Sequence, residues 1–189
     1  MSLKLNVIIG STRPGRAGPA IGKWAAEQAT KHGKFEVELV DLADFNLPLL
    51  DEPHHPRLQK YEHEHTRRWS ASVASADAYL FLTPEYDYYP NAALINALQV
   101  LSLEWSFKPA GVLSYAHVSG GLRAAQELRM LISNLNMMPI PQTVPIPFFT
   151  NFIDENKVFN PTEPMNQGLV VALDQLATWA TALKAGRKG

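Results

Sequence analysis

Five short apolar runs alternate with five segments of helical periodicity along this chain, and that alternation leaves few folds open. Leu5–Ile9 reads as a buried first strand. Ile21, Trp24, Ala25 and Ala29 recur at helical spacing, which predicts a helix over Gly18–His32, ended by Gly33. Phe35–Val40 alternates polar and apolar residues, as a strand nearer a sheet edge would. Residues 44–61 carry Pro48, Pro53 and Pro56 and are expected as a long loop before a second helix over Glu62–Ser75. Ala78–Leu82 is a continuous apolar run of the buried parallel kind. A third helix is expected over Asn91–Leu103, a fourth strand over Ala110–Ser114, and a fourth helix over Ser119–Asn136. A short fifth strand over Thr143–Ile146, a Pro- and Phe-rich tail from Pro145 to Pro164 and a last helix over about Met165–Ala185 complete the series.

Such a series predicts a doubly wound α/β fold. It is one five-stranded parallel sheet, order 2-1-3-4-5, with helices on both faces and a single domain over residues 1–189. Ligands bind such sheets beyond the carboxyl ends of the strands, at the switch between strands one and three. The loops there are 10–18, 83–91 and 114–121.

The first of these loops has the composition of a phosphate seat. Leu5–Ile9 stops at Gly10, and Ser11, Thr12, Arg13, Gly15 and Arg16 precede the first helix. Unpaired N–H groups at a helix start and the aligned peptide dipoles favour an anion. Ser11 and Thr12 add hydroxyl donors, and Arg13 and Arg16 add a planar fork of charge. Gly10 and Gly15 have the spacing of a P-loop, but Arg16 and Ala17 stand where Lys and Ser or Thr are needed, which argues against triphosphate hydrolysis. The Gly-x-Gly-x-x-Gly dinucleotide fingerprint is also absent. A monophosphate or similar terminal phosphate remains.

Composition narrows the chemistry further. A net charge of −1 lacks the basic excess that nucleic acid would call for. With no cysteine, disulfides, thiolate nucleophiles and zinc–sulfur sites are excluded. No run approaches the ~20 apolar residues of a membrane span, and residue 1 leads directly into a strand, so a cytoplasmic protein without membrane contact is expected. His54, His55, His63 and His65 alternate in direction and sit beside Glu62 and Glu64, the pattern of a solvated stretch, and no metal is expected. Val118-Ser-Gly-Gly lacks the flanking pattern of a serine nucleophile elbow.

Loop 83–91 reads Thr-Pro-Glu-Tyr-Asp-Tyr-Tyr-Pro-Asn. Its prolines stiffen the backbone and its tyrosines offer faces to a planar ligand or to a subunit contact. In loop 114–121, Ser114-Tyr-Ala-His-Val-Ser-Gly-Gly, small residues let backbone approach a ligand where the fourth helix starts. The positive end of that helix is expected to favour negative charge on the ligand. His117 reads as a solvent-facing loop histidine before it reads as a proton donor.

Three segments together carry a resemblance. Gly10-Ser-Thr-Arg-Pro-Gly-Arg16, Thr83-Pro-Glu-Tyr-Asp-Tyr88 with Leu94 and Asn96-Ala97, and Lys108-Pro-Ala-Gly-Val-Leu-Ser-Tyr115 with Ser119-Gly-Gly121 resemble the NADPH-dependent FMN reductases. These are flavodoxin-like quinone, azo and chromate reductases. The resemblance spans about residues 4 to 140 in order. It implies FMN, with its phosphate held by Ser11, Arg13 and Arg16. Its ring would be lined by Pro84, Glu85, Tyr86 and Asp87 on one side and by Ser114, Tyr115, Ala116 and His117 on the other. It also implies hydride transfer from NADPH or NADH to the flavin, a small acceptor such as a quinone used in the same place, and a homodimer or homotetramer. No catalytic side chain is implied, because the cofactor carries the chemistry. Asp87 stands where the family often has Asn, Ile95 where it often has Lys, and Ala116 and His117 where many members have Gly. The competing reading is a flavin-binding electron carrier or redox sensor, and the small net charge argues against it, since carriers steer to basic partners by strong acidity. No basic cluster in the sequence is assignable to the 2′-phosphate that separates NADPH from NADH.

Overall fold

Each apolar run forms a strand. In chain order they are β1 (Leu3–Ile9), β2 (Phe35–Asp41), β3 (Ala78–Tyr86), the two-residue β4 (Tyr89–Pro90), β5 (Pro109–Ala116) and β6 (Met138–Pro147). The computed structural model describes residues 2–188. The main sheet is parallel, in the order β2-β1-β3-β5-β6, and β4 pairs antiparallel with the end of β3. With β4 set aside this is the expected 2-1-3-4-5.

The helices are α1 (Gly18–His32), α2 (Glu64–Ser75), α3 (Ala92–Gln99), α4 (Leu122–Asn134) and α5 (Glu163–Lys184). Alternate residues of a strand face opposite sides, so the central strands feed two cores. Leu5, Val7 and Ile9 of β1 and Leu80 and Leu82 of β3 pack with Ile21 and Trp24 of α1 and Leu173 and Leu176 of α5. Ile8, Tyr79 and Phe81 face the other way, onto Trp69 of α2, Leu94 and Leu98 of α3 and Leu128 of α4. No helix among the described residues is long and apolar enough to cross a membrane.

The departures from expectation have local causes. Helix two starts at Glu64 rather than Glu62, because the Glu52 carboxylate accepts from the Glu62 and His63 N–H groups (2.7 and 3.1 Å) and holds both in the loop. Helix three ends at Gln99. The chain then tightens into a 3-10 turn, Leu103–Trp105, whose buried indole donates to the Leu98 carbonyl (3.1 Å). Helix four starts at Leu122, since Gly120 and Gly121 are both left-handed. β6 is longer than expected despite Pro139, Pro141, Pro145 and Pro147; as an edge strand it pairs only with β5, so prolines cost it little. The last helix starts two residues earlier than expected, with Pro164 in its first turn. The long loop is tied down by Asn96, which donates to Pro48 O (2.7 Å) and accepts from Leu50 N (3.0 Å). His54 of the loop pairs with Glu62, and His63 and His65 at the start of α2 pair with Asp51, while His55 Nδ1 accepts from Arg57 N (3.1 Å).

Candidate active site

β1 and β3 end side by side, and the turns leaving them are joined at once. Gly10 N donates to Leu82 O (2.9 Å), and Asn91 Nδ2 donates to Gly10 O (2.6 Å). A Cβ on Gly10 would lie 2.7 Å from the Leu82 carbonyl oxygen, so only glycine permits this approach. Beyond it, Arg16 N donates to Arg13 O (3.2 Å) across Pro14-Gly15, with Gly15 left-handed as a type II turn requires. α1 begins with no side-chain cap and no acidic residue in its first turn.

The expected phosphate ligands are placed unequally. Arg13 is exposed at the rim. Arg16 is half-buried and ion-paired with Asp41 at the end of β2, with its Nε buried and without a hydrogen-bond partner. Ser11 is buried behind the turn, and its Oγ also lacks a partner. Thr12 lines a separate cavity of about 280 Å³ beside Leu42 and Asn46.

Loop 83–91 is a β-hairpin. Glu85 pairs with Pro90 and Tyr86 with Tyr89, around a two-residue turn in which Asp87 (φ 50°) and Tyr88 (φ 75°) are both left-handed. That is the backbone of a type I′ turn, which matches strand twist. Aspartate tolerates this region, whereas tyrosine is unusual there. The Arg123 guanidinium lies 3.9 Å over the Tyr88 ring and holds it in place.

Glu85 corrects one expectation. Its buried carboxylate turns away from the open side and caps α4. It accepts from Ser119 Oγ (3.0 Å), Arg123 N (3.1 Å) and Arg123 Nε (2.7 Å), with the guanidinium NH2 group also in contact. The positive end of α4 is therefore already neutralised by a protein carboxylate. Burial pushes the Glu85 carboxyl up, but the hydrogen bonds from Arg123, Ser119 and the Ala124 N–H outweigh it and leave the group below the usual glutamate range. A depressed folded pKa means a contribution present above the unfolded value and lost as pH falls through the folded one. Glu85→Gln is thus expected to cost about 1–2 kcal/mol at pH 7. Thermal unfolding from pH 7 to 3 should show the gap from wild type closing below about pH 4.

At the end of β5, Ser114 is fully buried, and its Oγ donates to Gly120 O (2.9 Å). Its hydroxyl braces the loop instead of facing the cleft. Tyr115 is buried and its phenol is pushed well up by burial, so it keeps its proton. Ala116 and His117 reach the surface, where the His117 ring lies beside Phe148 and Phe149.

These turns enclose a cleft of about 810 Å³. Arg13, Arg16, Pro84, Glu85, Tyr86, Asp87, Tyr115, Ala116 and His117 line it, while Ser11 and Ser114 do not. Tyr88 and Ser119, motif residues not expected as ligand contacts, also line it, as do Arg123, Phe149 and Thr150, which the sequence did not mark. Phe149 and Thr150 follow the last strand directly, so the carboxyl-end rule applied to that strand would have found them. Glu85 and Arg123 have no such signal, because their pairing joins two elements.

Residues 3–151 match the family model for NADPH-dependent FMN reductase. The chain belongs to the NADPH-dependent FMN reductase family. An NAD(P)H-dependent FMN reductase of Schizosaccharomyces pombe is 38% identical over 140 residues, 73% of this chain and 70% of that one. A quinone reductase of Pseudomonas putida is 28% identical over 187 residues, 95% of each chain. In structure, the flavoenzyme NAD(P)H:(acceptor) oxidoreductase FerB of Paracoccus denitrificans superposes with a TM-score of 0.73 over 95% of this chain and 98% of its own, at 20% identity. This FMN reductase is accordingly an NAD(P)H oxidoreductase that uses FMN. The cleft suits that cofactor: Arg16 Nε, buried in its lining, lacks a hydrogen-bond partner, and buried groups of that kind are normally satisfied.

Proposed function

We propose that this cleft holds FMN with its phosphate at the turn 11–18 and its ring between the hairpin 84–88 and residues 115–117. The unpaired Arg16 Nε and the exposed charge of Arg13, at one end of a cleft of ligand size, carry the reading. Arg13 supplies the free charge, and the uncapped start of α1 supplies N–H groups. The hairpin, fixed by its left-handed turn and the Arg123 stack, gives a rigid wall for a planar ring. Bound there, FMN supplies the redox chemistry, taking hydride from a nicotinamide and passing electrons to an acceptor. The residues bind and orient. Glu85 is spent on α4, and Tyr115 stays protonated, so neither acts as a base.

Relatives named quinone reductase and NADPH azoreductase support small quinones or azo compounds as acceptors. The exposed Tyr86, Tyr88 and Tyr89 support a homo-oligomer, whereas α3 beside them is largely buried and adds little. FMN-loaded protein is expected to consume NAD(P)H with benzoquinone at a rate saturable in both. A flavin-loaded protein that oxidises neither NADPH nor NADH would contradict the enzyme and leave a carrier.

A further inference from the structure

A second cavity of about 770 Å³ opens beside the flavin cleft and shares Gly15, Arg16, Ala17, Phe149 and Thr150 with it. Its remaining lining is Pro19, Ala20 and Lys23 from α1, and Ile153 and Lys157 from the segment after β6. No carboxylate lines it. Resting on the FMN reductase reading above, we infer that this groove seats the adenosine end of the dinucleotide and that Lys23 and Lys157 grip its 2′-phosphate, making NADPH the preferred reductant.

Three observations carry this. First, the two cavities adjoin, with residues 15–17 lining both, so a dinucleotide with its nicotinamide in the cleft has a neighbouring place for its other end. Second, the groove joins an apolar wall, from Pro19, Ala20, Phe149 and Ile153, to two ammonium groups. An adenine needs the first, and a compact phosphomonoester needs the second. Third, those charges are unpaired. Among the described residues neither Lys23 nor Lys157 enters an ion pair, whereas Arg16 is taken by Asp41.

Asp154, exposed on the Lys157 segment, is occupied by the backbone of its own turn. It accepts from Asn156 N and Val158 N (2.9 Å each), and its carbonyl accepts from Lys157 N (2.9 Å). The segment is fastened to α1 by Phe159, whose ring packs 5.0 Å from that of Trp24. That contact fixes Lys157 on the side of α1 that carries Lys23. A phosphate near −2 charge finds two cations there, and the hydroxyl of NADH finds nothing it needs.

The test compares FMN-loaded wild type with K23A/K157A. Steady-state rates give kcat/KM for NADPH and NADH, and calorimetric titration gives Kd for NADP+ and NAD+. The NADPH-to-NADH ratio of kcat/KM is expected to fall about tenfold or more in the double variant, and the NADP+ affinity to weaken by a similar factor relative to NAD+. Lys31→Ala, on α1 but outside the groove, should leave the ratio as in wild type. A ratio within twofold of wild type overturns the inference and leaves the FMN reductase reading standing. So does a variant whose loss is in FMN affinity, which would assign the lysines to the flavin phosphate. Wild type that oxidises neither coenzyme removes both.

Discussion

Arg13→Ala is expected to raise the dissociation constant for FMN by about ten- to a hundredfold, and Arg16→Ala by less than about tenfold. Both arginines line the cleft, so position alone does not rank them. Their partners do. The Arg16 guanidinium is ion-paired with Asp41, and much of its charge is answered before any ligand arrives. Arg13 stands exposed at the rim. A phosphate that engages Arg13 gains a fresh charge-assisted contact, whereas one that engages Arg16 shares it with a carboxylate. Titration of apoprotein by flavin fluorescence quenching reads both constants. The reverse order would place the phosphate deeper, against Arg16 and the start of α1. Riboflavin, which lacks the phosphate, should bind the wild type and Arg13→Ala alike.

Gly121→Ala is expected to destabilise the fold by about 2–4 kcal/mol, while Gly15→Ala costs only about 1 kcal/mol. The two glycines share a left-handed backbone, with φ of 83° and 72°. Any residue placed at either bears that strain. They differ in room. A Cβ at Gly121 would meet Ser114 Cβ at 2.7 Å and Tyr115 N at 2.8 Å, whereas one at Gly15 meets nothing within 4 Å. Gly121 lets the α4 turn fold back onto the end of β5, where the Ser114 hydroxyl closes it by donating to Gly120 O. Pushing that turn away would move residues 115–117 as well. Urea unfolding gives both differences, and equal costs at the two positions would show that strain alone decides.

What could be read in the residues, and what could not, divides by distance along the chain. α1 runs over the expected Gly18–His32, because its apolar spacing, first-turn Pro19 and terminal Gly33 are all local signals. The strand order follows from five strand-like runs and the rules of parallel connections. Loop 83–91 concealed its hairpin because tyrosine at φ 75° is no turn signal; the geometry holds because Arg123, from another element, stacks on that ring. Prolines shortened the expected fifth strand, since nothing local says that a strand lies at an edge. Ser11 and Ser114 have the right chemistry in the right loops, yet the backbone turns both hydroxyls inward. Lys23 and Lys157 carry no signal at all until α1 and the segment after β6 are packed together.

The most direct measurement is a crystal structure of the protein soaked in FMN. The expected density puts the phosphate against residues 11–18, within reach of Arg13, and the ring between the Tyr86–Tyr88 hairpin and Tyr115–His117. A cleft left empty at saturating FMN, or a flavin bound elsewhere on the molecule, would contradict the account.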